Sequence, residues 1–147
     1  MSETAGKHVV GEARVRVRYA ETDQMGVVYH ANYLVWFEVG RVELMRQHGL
    51  NYKQLETEEE CWIAVVEATA RYRAPARYDD ELIVQTTVVS VRGPVIRFGY
   101  KIFRVEDSLL LCEGETVHVA IGRDMKRRSV PKKYAEILGA AASDARV

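Results

Sequence analysis

Cysteines, long apolar runs and an excess of either charge are scarce or absent in this sequence. Its 147 residues contain only two cysteines, Cys61 and Cys112, and neither belongs to a CxxC pair or to a Cys/His cluster. We therefore expect no metal site. No apolar run approaches the roughly 18 residues that a membrane span requires, so we also expect no insertion into a membrane.

The charges of the chain balance. Lys plus Arg and Asp plus Glu both number 21, which gives a formal net charge of zero. This balance excludes the overall basic character of a typical nucleic-acid-binding protein, so we expect no nucleic-acid partner. Residues 1–8 lack the apolar segment of a secretory signal. We therefore expect reduced thiols in a soluble, cytoplasmic protein, and one domain over residues 1–147 with flexible ends at about 1–10 and 140–147.

The pattern of apolar residues predicts one long helix, one short helix and five strands. The long helix begins at Asn32, a suitable N-cap, and ends at His48 before Gly49. A short helix is predicted from Pro131 to about Leu138. Because the later strands are joined by short turns, the sheet is predicted to be antiparallel and the fold class α+β. The predicted strands are Arg14–Tyr19, Cys61–Arg73, Leu82–Val91, Val95–Arg104 and Leu109–Ile121.

Two further expectations concern the shape of these elements. The long helix is apolar around most of its circumference, so we expect it to be largely buried. Gly40 in its interior costs about 1 kcal/mol relative to alanine, which we attribute to the close approach of another backbone, such as that of a sheet wrapped around the helix. Three strands exceed the usual length of about five to six residues, so bends or bulges are expected.

The polar loop between the first strand and the long helix contains the residues best suited to chemistry. Asp23 lies in this loop, a few residues before the first helical turn. The free N–H groups of that turn and the helix dipole can stabilise an oxyanion. A carboxylate that faces them can act as a nucleophile or base in acyl transfer. The spacing alone leaves open that Asp23 is a simple cap or turn former.

The same loop resembles the signature of a known enzyme family. The signature Tyr-x-x-Thr-Asp-x-x-Gly-x-Val-Tyr-x-x-Asn-Tyr matches residues Tyr19–Tyr33 at every specified position. It is typical of hotdog-fold acyl-CoA thioesterases of the 4-hydroxybenzoyl-CoA thioesterase branch. The segments Phe37–Glu43 and Tyr72–Asp80 are also similar to that family, and the resemblance extends over about Val15–Tyr134.

The resemblance implies a fold, an activity and a set of site residues. The implied fold is a five-stranded antiparallel sheet curled around the long helix, with two subunits paired edge to edge and the active sites between them. The assembly would be a homodimer or a homotetramer built as a dimer of dimers. Asp23 matches the catalytic carboxylate, and His30 occupies the position whose backbone N–H polarises the thioester carbonyl. Gly26 is expected to let the loop pass close to the acyl group, and Tyr29 and Asn32 are expected to contact substrate.

Several alternatives stay open for these residues. The side chain of His30 is an alternative general acid. Glu38 is a rival carboxylate, for which an ion pair with Arg41 or Arg46 is the simpler role. The aromatic residues near the helix start suit either an acyl pocket or the plain core. They are Tyr29, Tyr33, Trp36 and Phe37. The remaining histidines, His8, His48 and His118, are interpreted as structural or solvated.

The predicted substrate is an acyl-CoA thioester, with an acyl-carrier protein as the alternative carrier. No cofactor is expected, because a thioester is already reactive and its thiolate leaves readily. Lys126, Arg127 and Arg128 follow the last strand and could bind the phosphates of coenzyme A, although an ordinary solvated loop fits the same pattern. Two other functions remain: a hydratase or isomerase, whose usual histidine-centred site is not evident, and a non-catalytic acyl-CoA-binding module.

Overall fold

Five strands and three helices make up the computed structural model, which describes residues 8–146 and the side chains of residues 8–139. The strands are β1 (Val10–Arg16), β2 (Trp62–Tyr72), β3 (Glu81–Arg92), β4 (Val95–Arg104) and β5 (Leu110–Ile121). The helices are α1 (Asn32–Gln47), α2 (Tyr52–Glu59) and α3 (Lys132–Arg146), and a single 3₁₀ turn covers Tyr19–Glu21.

The strands form one antiparallel sheet in the order β1-β3-β4-β5-β2, so β1 and β2 are its edges. Helix α1 packs against the sheet, most extensively against β1 and β3, and α3 packs against β3. The α+β class and the antiparallel sheet around one long helix are therefore confirmed. The expected irregularities are also present, since the register shifts between Val65 and Glu67, between Val88 and Ser90, and between Ile102 and Phe103.

The core lies between α1 and the sheet. Phe37 of α1 is fully buried and stacks on the ring of Tyr100 in β4, with ring centroids 4.3 Å apart. A methyl group at Gly40 would overlap Thr86 and Val84 of β3, so the close approach predicted at this glycine is confirmed. The approaching atoms belong to side chains of β3, not to its backbone as expected.

Helix α1 is less buried than its composition suggests. Leu34 is 40% exposed and Val35 is 52% exposed, so the expectation of a largely buried helix holds for one face only. Asn32 is not the N-cap but the first helical residue, and Ala31 takes the cap position without a side-chain hydrogen bond. The side chain of Asn32 is engaged elsewhere, in a bond described below.

Most predicted boundaries differ from the structure by one residue, and three elements differ by more. Strand β1 begins at Val10 and ends at Arg16, whereas Arg14–Tyr19 was expected. Helix α3 continues to Arg146, beyond the expected end near Leu138. Helix α2 was not predicted at all, because Leu55 is its one buried residue and leaves no apolar period to detect. The sequence does contain one signal for α2, the asparagine that precedes it. In the structure Asn51 is the N-cap, and its side chain accepts a hydrogen bond from Gln54 N–H at 2.7 Å.

The two edge strands differ in whether side chains bond to their outward backbone groups. On β1, the Gln47 side chain donates to Glu12 O at 2.7 Å and accepts from Glu12 N–H at 3.2 Å. The Nε2–H of His48 donates to Val10 O at 2.8 Å. On β2, no side chain of the described residues bonds to the outward backbone groups of the strand in this way. The C-terminal end of α1 thus occupies one edge and leaves the other open.

None of the helices in residues 8–146 has the length and apolar character needed to cross a membrane. The predicted flexible ends lie partly outside the described residues and stay a prediction.

Candidate active site

The loop that precedes α1 is folded back on itself around Asp23. Asp23 N–H donates to Val27 O at 2.8 Å, and Gly26 N–H donates to Asp23 O at 2.9 Å. Gly26 has a φ of +81°, a left-handed conformation that favours glycine. The space beside its Cα is open. The turn favours glycine at this position, and the close passage of an acyl group stays a prediction.

One oxygen of the Asp23 carboxylate is held by the loop. Oδ1 accepts hydrogen bonds from Met25 N–H at 2.8 Å and from Val27 N–H at 3.4 Å. Among residues 8–146, no donor bonds to Oδ2. The carboxylate is therefore oriented through one oxygen and keeps the other available for chemistry.

The start of α1 presents a free amide next to this carboxylate. Tyr29 N–H donates to Glu21 O at 2.8 Å, and Asn32 N–H donates to Tyr29 O at 3.0 Å. Between them, the N–H of His30 has no acceptor within the part of the chain that the structure describes. Helix α1 has sixteen residues, so the positive end of its dipole reinforces this donor.

Asp23 and His30 line the same cleft, which has a volume of about 370 Å³. This volume falls in the range of small-molecule sites. The cleft brings the predicted carboxylate and the predicted amide-bearing residue together with the ends of β2 and α1. Its lining consists of Asp23, Met25, Val27, Val28, His30, Tyr33, Tyr72, Arg73, Ala74 and Pro75. In that described lining, Asp23 is the one carboxylate.

Arg73, Tyr33 and the nearby Cys112 are either paired or have raised pKa values. Arg73 binds Glu113 through Nε at 2.9 Å and Nη2 at 2.7 Å, and this bond lowers the pKa of the Glu113 carboxyl. Burial raises the pKa of the neighbouring Cys112 thiol to about 12 and raises the pKa of Tyr33 as well. The Tyr33 hydroxyl accepts a hydrogen bond from Ala76 N–H at 3.2 Å. No thiolate therefore competes with Asp23 as a nucleophile.

Tyr29 and Asn32, which were expected to contact substrate, lie outside the cleft lining, as does Gly26. Tyr29 is 49% exposed and packs against the His30 ring at 4.5 Å. Asn32 Nδ2 donates to Glu21 O at 2.9 Å, so this side chain binds the loop. Sequence reasoning singled out neither Tyr72 nor Arg73 as a site residue, although both belong to the Tyr72–Asp80 segment that resembles the family.

The basic cluster forms a different cleft, of about 570 Å³. Lys126, Arg127 and Arg128 line it together with three consecutive acids, residues 58–60. Arg128 Nη1 donates to Glu59 O at 2.8 Å. This cleft adjoins the Trp62 end of β2, because Trp62 pairs with Ile121, which also bridges to Arg127. The Asp23 cleft adjoins the Tyr72 end, and the eleven residues of β2 span roughly 33 Å at about 3.3 Å per residue.

The rival carboxylate Glu38 lies outside both clefts and is exposed. The ion pair expected between Glu38 and Arg41 or Arg46 is absent among the described residues, so that prediction is wrong. Arg46 pairs with Glu43, and Arg41 Nη1 donates to the Tyr100 hydroxyl at 3.4 Å.

Two other histidines have structural positions, as expected. His118 is fully buried, and its Nε2 shares a hydrogen bond with Thr116 Oγ1 at 2.8 Å. Burial, assisted by the positive charge of Arg41, lowers the pKa of His118 to about 3. His48 is the residue already described on the edge of β1.

The five-stranded antiparallel sheet curled around α1 defines the class of the protein as a hotdog fold. The model of the thioesterase-like superfamily matches residues 17–138. The chain therefore belongs to the thioesterase-like superfamily.

Individual relatives agree with this assignment. The acyl-CoA thioester hydrolase YbgC of Escherichia coli is 40% identical over 119 residues, which are 80% of this chain and 87% of that protein. The acyl-CoA thioesterase YbgC of Haemophilus influenzae is 40% identical over 122 residues, covering 81% and 87% of the two chains. The 4-hydroxybenzoyl-CoA thioesterase of Pseudomonas sp. strain CBS-3 shares the fold, with a TM-score of 0.80 at 20% identity over 87% of this chain and 98% of that chain.

Proposed function

We propose that this thioesterase hydrolyses acyl-CoA thioesters in the Asp23 cleft and releases the free acid and coenzyme A. The observation that carries the proposal is that two groups share one cleft: the Asp23 carboxylate, whose Oδ2 accepts no hydrogen bond among the described residues, and the unpaired His30 N–H. The names of the Escherichia coli and Haemophilus influenzae relatives support the acyl-CoA substrate. An acyl-carrier protein is the alternative carrier of the same thioester.

In the proposed mechanism, the thioester carbonyl oxygen binds the His30 N–H at the positive end of α1. Negative charge develops on that oxygen during attack, and a single preorganised donor of this kind contributes about 10²- to 10³-fold to the rate. Asp23 either activates a water molecule or attacks the carbonyl carbon itself. In the second case the coenzyme A thiolate leaves, and water then hydrolyses the mixed anhydride and regenerates the carboxylate.

The first test is the substitution Asp23→Asn. An amide is neither a base nor a useful nucleophile, so we expect kcat to fall at least a hundredfold, while KM and the thermal unfolding temperature stay close to those of the wild type. Initial rates of thiol release across a panel of acyl-CoA substrates measure the effect.

Glu38→Gln is the matched control, because Glu38 is an exposed carboxylate outside both clefts. We expect it to keep wild-type kcat. Full activity of Asp23→Asn together with loss of activity in Glu38→Gln would show that Glu38, not Asp23, is the catalytic carboxylate.

We further propose that the active unit contains a pair of subunits joined through β2. The backbone of β1 is bonded by Gln47 and His48, whereas β2 is open and exposes Val65 and Val66. Unpaired strand edges in natural proteins tend to be covered. A two-fold axis would pair the two copies of β2 antiparallel, as a homodimer or as half of a homotetramer.

This pairing gives the basic cluster a role in substrate binding. Within one chain, Lys126, Arg127 and Arg128 lie at the far end of β2 from Asp23. Antiparallel pairing of two β2 strands brings the Trp62 end of one chain beside the Tyr72 end of the other. We therefore propose that the cluster binds coenzyme A phosphates at the partner's Asp23 cleft.

The proposed compartment is the cytoplasm. Cys61 and Cys112 are both free and buried, which fits a reducing environment.

A further inference from the structure

A tyrosine at the end of β2 reaches the head of α1. The hydroxyl of Tyr72 donates a hydrogen bond to the carbonyl oxygen of His30 at 3.2 Å, across 42 positions of sequence. The Tyr72 ring is packed edge-on against Tyr33 at 5.2 Å and against His30 at 6.3 Å. Among the described residues, Tyr72 is therefore the one that connects the sheet to His30, which carries the free amide.

The carbonyl oxygen of Glu21 accepts hydrogen bonds from residues on both sides of His30. Glu21 O accepts both Tyr29 N–H at 2.8 Å and Asn32 Nδ2–H at 2.9 Å. Glu21 is itself buried, and its carboxylate accepts Arg18 N–H at 2.7 Å. These bonds hold residues on both sides of His30, so the orientation of the His30–Ala31 peptide group depends on what binds the His30 carbonyl.

That carbonyl has only one other partner among residues 8–146. Tyr33 N–H donates to His30 O at 3.3 Å, a long bond of the first helical turn. The Tyr72 hydroxyl is thus the side-chain contact that restrains the His30 backbone. The His30 N–H belongs to the preceding peptide group, whose carbonyl, Tyr29 O, accepts Asn32 N–H at 3.0 Å. Tyr72 therefore acts on the His30 N–H through the backbone torsions of His30, because loss of its bond would let the His30–Ala31 peptide rotate and displace the His30 Cα.

We propose that Tyr72 is a positioning residue, whose hydroxyl holds the His30 carbonyl and thereby keeps the His30 N–H directed at the oxyanion. This inference rests on the proposed function, because it requires the amide to serve as the oxyanion donor. Tyr72 acts through His30 and makes no contact with the reacting atoms. Positioning of this kind matters because a misplacement of about 1 Å near a reacting centre costs up to about a hundredfold in rate.

The opposing role for Tyr72 is direct binding of substrate, since its ring also lines the cleft. The two roles differ in kinetics. A group that binds ground state and transition state equally changes KM, whereas a group that positions a transition-state donor changes kcat.

The test compares Tyr72→Phe with Tyr78→Phe and the wild type. Tyr78 is 59% exposed and lies outside the cleft lining, and its hydroxyl has no hydrogen bond among the described residues, which makes it a matched control. We expect Tyr72→Phe to lower kcat about tenfold while KM stays within about twofold. Tyr78→Phe should keep wild-type values of both.

An amide spectrum provides a readout that does not depend on turnover. In ¹H–¹⁵N spectra of the ligand-free protein, Tyr72→Phe should shift the His30 and Ala31 resonances and speed their hydrogen exchange. The unfolding temperature should stay within about 2 °C of the wild type, because the lost hydrogen bond is exposed.

The possible results separate this inference from the function on which it rests. If Asp23→Asn is inactive but Tyr72→Phe keeps wild-type kcat, the proposed function stands and the positioning role is overturned. A rise in KM with unchanged kcat would also overturn it, in favour of direct substrate binding. If Asp23→Asn stays fully active, the proposed function fails and the inference fails with it, whatever Tyr72→Phe does.

Discussion

The two edge strands present valines of nearly equal exposure, Val10 on β1 at 58% and Val66 on β2 at 59%, yet the edges differ in what they can bind. On β1, Gln47 and His48 form hydrogen bonds with backbone groups that would otherwise be available to a neighbouring strand. On β2, those groups have no such partners among the described residues. Apolar exposure therefore does not distinguish the two edges, whereas the side-chain hydrogen bonds to their backbone groups do.

The largest expected effect comes from placing a charge on each edge in turn. We expect Val66→Lys to raise the dissociation constant of the proposed dimer at least a hundredfold, because a lysine on a strand edge opposes pairing. Thiol-release activity should fall with dimer content if the active sites lie between subunits. Analytical ultracentrifugation at micromolar concentration measures the mass.

Val10→Lys is the matched control, since it adds the same charge at the same exposure on the occupied edge. It should keep the wild-type mass. Dissociation by Val10→Lys but not by Val66→Lys would reverse the edge assignment, and a stable wild-type monomer would remove the proposed dimer altogether.

The contrast between the edges also marks the limit of what the sequence predicts. The strand and helix pattern follows from local periodicity, and the signature around Asp23 selects two residues that do share a cleft. The bonds of Gln47 to Glu12 and of Tyr72 to His30 join residues 35 and 42 positions apart. Each uses a residue type that is common on surfaces, so no local pattern distinguishes it.

Asn32 illustrates the same limit at short range. Its position before an apolar run predicts an N-cap, and the signature predicts a substrate contact. The N-cap is Ala31, and the Asn32 side chain donates to Glu21 O at 2.9 Å, while the substrate contact stays a prediction. Only the three-dimensional path of the loop, which doubles back, brings Glu21 O near Asn32.

A second test uses acid and concerns His118 on β5, the strand next to the open β2 edge. His118 of β5 has a pKa near 3 in the folded protein, against about 6.5 when unfolded. Between these values the unfolded chain binds a proton that the folded chain does not, so stability falls as the pH falls. Each pH unit in this window costs about 1.4 kcal/mol.

We expect His118→Leu to make the loss of stability between pH 6 and pH 4 shallower by about 1.4 kcal/mol per pH unit. Urea unfolding at several pH values measures the slope. The carboxyl groups of Asp107 and Glu113, whose pKa values are lowered in the fold, contribute to acid unfolding in both proteins and cancel in the difference. Equal slopes would mean that His118 is not the group that titrates.

The smallest expected effect concerns the two clefts at opposite ends of β2. Replacing Lys126, Arg127 and Arg128 by alanine should raise KM for an acyl-CoA by about tenfold at low salt, with little change in kcat, since phosphate contacts are made in both ground and transition states. The effect should shrink at high salt and vanish for a pantetheine thioester that lacks the phosphates. Lys132→Ala with Lys133→Ala is the matched control for lost charge.

A mixture of two defective proteins decides whether the cluster acts on its own chain or on its partner. Asp23→Asn keeps the cluster but has no catalytic carboxylate, and the triple-alanine protein keeps Asp23 but has no cluster. If the cluster serves the partner's cleft, a mixed dimer contains one site with both an intact Asp23 and an intact cluster. Re-equilibrated mixtures should then regain the wild-type KM in part of their activity. If each cluster serves its own chain, no complete site forms in any combination, and every active molecule in the mixture keeps the raised KM.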